Sequence, residues 1–420
     1  MNWRLLPFIL VLALSGSGLA TEKIGMVTVD GEGKDYWPGW RGPSAHGYVV
    51  GSGYPDRWSE TKNVLWKVEV AGAGNSSPIV WGDRIFLTTS YDGGKRLSLL
   101  SYQRSNGQRV WETTIPQKGV EQVHDKNGHA SATPVTDGKR VYASFGTHGL
   151  VAIDFDGNIL WQRQLDALDN YHGSAGSPIL YRDTVILYQD HQGQSFVAAF
   201  DQDTGDTKWR TDRKAKTGWG TPIVLRTEAR DELIVSSQHE VNAYDPANGE
   251  LLWFVKGNKF EVIPTPTVGH GLVFCSSGRA GPTLAIRPGG SGDVTETHVV
   301  WQSPKGSPFV PSTIIVGDFL YMINDMVSVV TSYEAKTGRL MFQGRLGEAQ
   351  REGFSASPVA INGKVFITND NGETFVLEAG PEFKLLHVNR LNSRTLASPA
   401  LVDGRWYFRT ENKLICIGEH

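Results

Sequence analysis

Two stretches of this 420-residue chain place histidine, carboxylate and tyrosine side chains close together outside any apolar segment. The first contains His124, Asp125 and His129, and the second contains Tyr171 and His172. Sets of histidine and carboxylate side chains can hold a metal ion or move a proton near neutral pH. The spacing here matches no fixed metal-ligand motif, and histidines in exposed loops are often only solvated. The pattern therefore favours contact with a ligand over metal binding or catalysis.

Positively charged residues form a second candidate set. A cation or a histidine stands shortly before nearly every repeat unit described below, and these residues are His129, His172, Lys216, Lys259, Lys305, Arg351 and Arg394. If these side chains shared one rim, they would concentrate a positive potential there and favour an anionic ligand. Glutamates among them, including Glu261 and Glu348, offset this charge. Trp219 stands in the same loops, either as a stacking surface or as an ordinary plug.

The candidate ligand-binding set combines both groups, and it names no catalytic residue and no metal ligand. Its members are His124, Asp125, His129, Tyr171, His172, Lys216, Trp219, Lys259, Arg351 and Arg394.

The elements that must position these side chains repeat along the chain. A Ser-Pro or Thr-Pro pair, or its equivalent, precedes an apolar strand eight times, beginning at residues 77, 133, 177, 221, 265, 312, 357 and 398. Each interval has room for four short strands separated by turn residues, as in residues 133–164. A four-stranded repeat of this length is typical of one propeller blade.

The turn between the third and fourth strands carries a glycine four residues before a large aromatic side chain. Gly205 precedes Trp209 in this way, and Gly249 precedes Trp253. Glycine permits the positive φ that a tight hairpin needs. A ring at the same depth in each outer strand can seal the contact between neighbouring blades. We therefore expect these tryptophans to pack rather than to bind a ligand.

The two ends of the repeat region complement each other. The last repeat, from residue 398, has only three strands, whereas residues 63–70 supply a spare strand ahead of the first repeat. Pairing them would close the ring and remove an open sheet edge. The sequence therefore predicts an all-β fold: an eight-bladed β-propeller of four-stranded antiparallel blades, the last closed by the N-terminal strand, in a single domain over residues 36–420.

The pattern Ala-x-Asp-x-x-Thr-Gly-x-x-x-Trp, complete in residues 199–209, resembles the repeat of pyrroloquinoline-quinone-like (PQQ-like) propellers. That superfamily includes the quinoprotein alcohol dehydrogenases and the lipoprotein of the outer-membrane β-barrel assembly machine. Residues 36–43 also resemble the lead-in of its exported bacterial members. The resemblance covers residues 36–420 and implies the fold, but a shared fold does not establish a shared function.

A resemblance to the dehydrogenases implies PQQ beneath two adjacent cysteines, a calcium ion held by Glu and Asn, and an aspartate base. This chain has only Cys275 and Cys416, which we expect to be free and buried, and its short repeats leave little chain to build a cofactor chamber. We expect no cofactor and a binding or scaffolding role. The alternatives are a PQQ- and calcium-dependent alcohol or sugar dehydrogenase, and a carbohydrate-binding or carbohydrate-modifying envelope protein.

Residues 1–20 have the features of a secretory signal peptide: Arg4, an apolar run too short to span a bilayer, and small residues before Ala20. Residues 21–35, rich in glycine and charge, predict a flexible leader. The net charge of −3 gives no reason to expect nucleic acid as a partner. We expect an exported bacterial monomer, periplasmic or extracellular, with no transmembrane anchor after signal cleavage. The expected partner is an envelope protein or an anionic glycan or peptide.

Overall fold

The computed structural model describes residues 24–29, 31–278, 281–303, 307–349 and 353–419. Within these ranges the chain forms eight antiparallel four-stranded meanders, each the blade of a propeller. The predicted all-β, eight-bladed fold is confirmed. The predicted signal peptide lies outside the described residues.

The strands of the first four blades follow chain order. Blade 1 contains Ile79–Trp81, Arg84–Tyr91, Arg96–Gln103 and Arg109–Ile115; blade 2 contains Val135–Thr136, Arg140–Ser144, Leu150–Asp154 and Ile159–Arg163. Blade 3 contains Ile179–Tyr181, Thr184–Gln189, Ser195–Asp201 and Thr207–Arg213; blade 4 contains Ile223–Arg226, Asp231–Ser236, Glu240–Tyr244 and Leu251–Lys256.

The second half of the ring repeats this arrangement. Blade 5 contains Thr267–Gly269, Leu272–Ser276, Thr283–Ile286 and Val299–Gln302; blade 6 contains Ile314–Val316, Phe319–Asn324, Val329–Glu334 and Leu340–Arg345. Blade 7 contains Val359–Ile361, Lys364–Thr368, Glu373–Glu378 and Leu385–Arg390; blade 8 contains Ala400–Val402, Arg405–Arg409, Lys413–Ile417 and Val64–Glu69.

Short elements complete the structure. The two-residue strands Gly25–Met26 and Gly292–Asp293 add to blade 4, and Tyr48–Val49 adds to blade 7. The helical turns are Gly31–Asp35, Asp92–Gly94, Gly146–His148 and Thr295–His298.

The serine or threonine that opens each repeat links neighbouring blades. In blades 1 to 7 its backbone N–H donates to the side-chain hydroxyl at the same position of the next blade, over 2.9–3.4 Å. The series runs through Ser77, Thr133, Ser177, Thr221, Thr265, Ser312, Ser357 and Ser398. These bonds hold the first strands of the blades side by side around a central channel. The hydroxyl in the repeat therefore has a structural role.

The glycine and the aromatic residue of the repeat form a second link. The indole N–H of Trp161 in blade 2 donates to Gln202 O in the hairpin of blade 3 at 3.0 Å. A Cβ on Gly205, in that same hairpin, would lie 2.6 Å from the Trp161 ring. Matching indole-to-hairpin bonds are made by Trp66, Trp111, Trp209 and Trp301. The tryptophans pack between blades, as predicted.

The ring closes where the sequence predicted. Val64–Glu69 pairs antiparallel with Lys413–Ile417, and Trp66 lies opposite Cys416. Blade 8 is thus built from both ends of the repeat region, so the sheet it forms has its full complement of four strands.

Part of the expected flexible leader is packed on the ring instead. Gly25 and Met26 pair with Arg226 and Leu225 of blade 4, and the N–H of Val27 donates to Val224 O at 2.9 Å. The free edge of a first strand offers unpaired backbone groups, and these residues satisfy them. Backbone bonding to blade 4 is a long-range contact that the glycine-rich, charged composition of the segment does not indicate.

Candidate functional site

Residues 36–49 form a strap across the end of the channel that lies opposite the inter-blade loops. Trp37 pairs with Val80 of blade 1, and Tyr48 and Val49 pair with Ala360 and Ile361 of blade 7. Between these anchors the Trp40 indole N–H donates to Thr265 Oγ1 at 2.8 Å. Trp40 therefore forms the floor of the channel.

Above Trp40 the channel encloses a cavity of about 190 Å³, lined in part by hydroxyls of the inter-blade series. This volume is below the roughly 300–1,000 Å³ of pockets that hold a typical small-molecule ligand or cofactor. The other end of the channel, the mouth, is covered by the loops that connect successive blades, and these carry the residues singled out in the sequence.

Two of these loops, residues 116–134 and 164–178, meet over the channel. The side-chain amide of Asn127 donates to His172 O at 2.7 Å and to Ser174 O at 3.1 Å. The ring of His124 lies edge-on to that of His172, with centroids 4.6 Å apart. The structure thus brings together the two loops that carry the predicted histidines.

Trp219 lies buried beneath this junction, with 6% of its surface exposed. Its indole N–H donates to Gly173 O at 2.8 Å, and its ring is 5.7 Å from those of both Tyr171 and His172. Tyr171 is 45% exposed, and its hydroxyl donates to Glu261 Oε1 at 3.3 Å. Trp219 therefore supports an exposed tyrosine at the mouth.

Lys126 reaches across the mouth to blade 7. Its Nζ lies 3.4 Å from Asp370 Oδ2, in the second hairpin of blade 7. Burial raises the pKa of Asp370 above its usual value, although Lys126 acts in the opposite direction. The sequence does not indicate this contact, because a lysine between loop histidines gives no sign of a partner 244 residues away.

Asp325, in the matching loop of blade 6, is fully buried. Its Oδ1 accepts the N–H of Phe309 at 2.8 Å, and burial raises its pKa to about 6. The blade 6–7 side of the mouth therefore contains one fully buried carboxyl group, Asp325, and one that is partly buried, Asp370.

Three other predicted residues line a separate cavity of about 380 Å³ at the junction of blades 8 and 1: Asp125, His129 and Arg394. Burial lowers the pKa of His129. Arg394 Nη1 lies 3.4 Å from Glu411 Oε1. We call this space the seam cavity. The predicted ligand-binding residues are thus divided between the mouth and this cavity.

Two further predicted cations, Lys216 and Lys259, line neither the channel cavity nor the seam cavity. Lys216 is exposed, and its Nζ donates to Gln192 O and Gly193 O at 3.1 and 3.0 Å. Lys259 is exposed on the loop before blade 5. Arg351 lies outside the described residues, as does Lys305. Within the ranges that the structure describes, no three His, Cys, Asp or Glu side chains are grouped closely enough to hold a metal ion.

The two cysteines are free and buried, as predicted. Cys275 lies in the second strand of blade 5 and Cys416 in the third strand of blade 8. Burial raises the pKa of each thiol to about 12. Neither lines the channel cavity, so these residues do not provide the cysteine pair of the quinone site that the resemblance implies.

In the described part of the chain, no helix has the length and apolar character needed to cross a membrane.

Solved structures of low sequence identity share the fold. BamB from Moraxella catarrhalis superimposes with a TM-score of 0.63 at 14% identity, over 85% of this chain and 99% of that one. A europium-containing methanol dehydrogenase gives 0.66 at 10% identity, over 92% and 98%. Quinohemoprotein alcohol dehydrogenase from Comamonas testosteroni gives 0.65 at 11%, over 92% and 81%. At these identities the likeness shows the fold alone.

No curated protein matches the chain in sequence. The model of the family described as outer membrane protein assembly factor BamB matches residues 48–198 and 193–418. These matches cover most of the propeller, from the strap to the last strand of blade 8. The chain therefore belongs to this family of PQQ-like propellers.

Proposed function

We propose that this protein is an exported binding module of the bacterial envelope and that it holds a partner protein at the channel mouth. The observation that carries the proposal is an exposed aromatic surface. Phe260 is 63% exposed, more than any other aromatic side chain in the described ranges, and Tyr171 is 45% exposed. We call Tyr171, His239, Lys259, Phe260 and Glu261 the mouth patch.

The contacts of the mouth patch hold it in position before any partner binds. The Tyr171 hydroxyl donates to Glu261, and the Tyr171 ring lies 5.7 Å from the buried Trp219. The Phe260 ring lies edge-on to His239 with centroids 5.9 Å apart. Aromatic side chains that are already ordered lose little conformational entropy on binding, which favours their use as anchors in protein interfaces.

The charges around the mouth support a protein partner over a polyanionic glycan. Lys126 pairs with Asp370, and Lys216 donates to backbone carbonyls, so both cations already have acceptors within the protein. Within the mouth patch itself, Lys259 is accompanied by Glu261. A mixed surface of aromatic and oppositely charged groups is typical of the protein–protein contacts that combine an apolar centre with a polar rim.

The closed channel supports surface binding without a quinone. Trp40 occupies one end, the His124 and His172 loops cover the other, and the cavity between them is small. The family description names an outer membrane assembly factor, which supports a location in the envelope and a role that depends on protein contacts.

A capture experiment tests this function. Immobilised protein is incubated with envelope extract, and the retained proteins are compared among wild type, Tyr171→Ala/Phe260→Ala and a Leu340→Ala control. Leu340 is 51% exposed on the outer strand of blade 6, away from the mouth. We expect one dominant partner that the double variant loses and the control retains. Equal retention by all three proteins would overturn the proposal.

A further inference from the structure

Arg409, in the second strand of blade 8, is a buried cation with no acidic partner among the described residues. It is 1% exposed, and its Nη1 donates to Ser76 Oγ and Thr88 O of blade 1, both at 2.7 Å. Its Nε and Nη2 have no hydrogen-bond partner among the described residues. Buried guanidinium groups are normally paired with carboxylates, because an uncompensated buried charge is costly.

The fold itself does not need a cation at this position. Ala400, in the first strand of blade 8, pairs with Tyr407 in the second strand, and Arg409 lies two residues after Tyr407. The equivalent position can be identified in every blade from the pairing of its first two strands. The equivalents in blades 1 to 7 are Thr88, Ser144, Tyr188, Ser236, Ser276, Ile323 and Thr368. Five of these seven are Ser or Thr. Arg409 is therefore a local departure from the repeat, and departures of this kind are candidates for function.

The guanidinium lies in the wall of the seam cavity, whose volume is about 380 Å³. A Cβ on Gly74 would lie 2.6 Å from Arg409 Nη2, so glycine at this position lets the backbone pass directly over the cation. Thr410 and Ser90 are also buried in this wall. The inner part of the cavity is thus polar and positively charged.

The rim of the seam cavity has the opposite character. Asp92, Asp125 and Glu411 are exposed and line the cavity, and Glu411 also engages the exposed Arg394. Three carboxylates at the entrance repel a polyanion but favour a ligand that carries a positive group a few ångströms from its own carboxylate.

From this charge arrangement we propose that the seam cavity binds a small zwitterion, such as a free amino acid, with Arg409 facing its carboxylate and the rim acids facing its ammonium group. A carboxylate would supply the counter-charge that Arg409 lacks, in a low-dielectric setting where charge-assisted hydrogen bonds are strong. The cavity volume falls in the range of roughly 300–1,000 Å³ that small-ligand sites occupy. This site is separate from the mouth patch and does not depend on the proposed partner protein.

Calorimetric titration of the mature protein tests the proposal with five probes: glycine, acetate, methylamine, triglycine and inorganic phosphate. We expect saturable binding of glycine, weaker binding of acetate, and none of methylamine or phosphate. Triglycine distinguishes a free amino acid from the end of a peptide, and binding as tight as that of glycine would contradict the small-molecule assignment. Absence of saturable glycine binding would overturn the proposal.

Two variants make the test specific to Arg409. Arg409→Met should weaken glycine binding at least about tenfold, because a charge-assisted hydrogen bond is lost. Leu340→Ala, on the exposed outer strand of blade 6, should leave glycine binding unchanged. Asp92→Asn, on the exposed rim, should tighten acetate binding about two- to threefold by removing a like charge. If Arg409→Met does not fold, unchanged acetate affinity in Asp92→Asn refutes the proposal.

Discussion

Arg213 and Asp190 form an ion pair that is wholly buried at the junction of blades 3 and 4. Arg213 Nε lies 2.8 Å from Asp190 Oδ1, and Nη2 lies 3.1 Å from Oδ2. The same guanidinium donates to Ser237 Oγ at 2.6 Å and to Asn242 Oδ1 at 3.3 Å, both in blade 4. Burial alone would lower the pKa of Arg213, but Asp190 raises it above its usual value. Asp190 thus supplies the counter-charge of a buried arginine, whereas Arg409 has no such partner in the described part of the chain.

Neutralising Asp190 should lower the free energy of unfolding. Asp190→Asn leaves the Arg213 charge buried and uncompensated, and breaking a buried pair typically costs about 3–5 kcal/mol. The urea midpoint of the variant should therefore fall clearly below that of the wild type. Asp183→Asn is the control, since Asp183 has a 76% exposed side chain and such changes stay within about 0.5 kcal/mol. Equal midpoints for Asp190→Asn and wild type would show that the pair contributes nothing.

Asp325 should make stability depend on pH. Burial raises its pKa from an ordinary value of 3.8 to about 6, so the folded protein holds this proton more tightly than the unfolded chain. Its contribution to stability therefore falls as pH rises from about 4 to about 6 and is constant above that range. Asn at this position keeps an acceptor for the Phe309 N–H without the charge.

The advantage of Asp325→Asn over wild type should accordingly grow between pH 4.5 and pH 7.5, by about 2 kcal/mol. Thermal or urea unfolding of both proteins at the two pH values measures this difference. The same difference at both pH values would show that Asp325 is charged in the folded protein throughout.

Glycine in the hairpins should be needed for close packing against the tryptophan of the neighbouring blade as well as for the positive φ. Gly205 has φ 70°, and an added Cβ would lie 2.6 Å from the Trp161 ring. Gly317 has φ 58° and no atom within 4 Å of that position. Gly317→Ala should cost about 1–2 kcal/mol from backbone strain alone. Gly205→Ala should cost about 1–3 kcal/mol more, because the methyl group overpacks the blade junction. Equal losses of unfolding free energy in the two variants would show that the close approach of Gly205 to Trp161 does not contribute to the cost.

Both thiols should be unreactive in the folded protein. Cys275 and Cys416 are buried, and burial raises the pKa of each to about 12. Because the thiolate is the reactive form, a chromogenic disulfide reagent should detect no thiol at pH 8 and two per chain after denaturation. Rapid reaction of either thiol before denaturation would show that its blade opens locally.

The sequence indicates the features that repeat and misses those that do not. The hydroxyl series, the hairpin glycines and the pairing of Val64–Glu69 with the last repeat follow from period and local turn chemistry. Other features depend on residues that are remote from one another in sequence. They are the contact of Lys126 with Asp370, the floor that Trp40 forms in the channel, and the lack of an acidic partner for Arg409 among the described residues. No local pattern specifies such contacts. For the same reason the sequence does not indicate how the described cations are divided: His129 and Arg394 line the seam cavity, whereas Lys216 and Lys259 do not.

Site-specific photo-crosslinking in living cells tests most directly whether the mouth patch binds a partner protein. A photoreactive phenylalanine analogue at Phe260 is compared with the same analogue at Leu340, which is exposed on the outer strand of blade 6. We predict that the probe at 260 links the protein to one envelope partner and that the probe at 340 does not. The same crosslinks from both positions, or none from position 260, would contradict a binding site at the mouth.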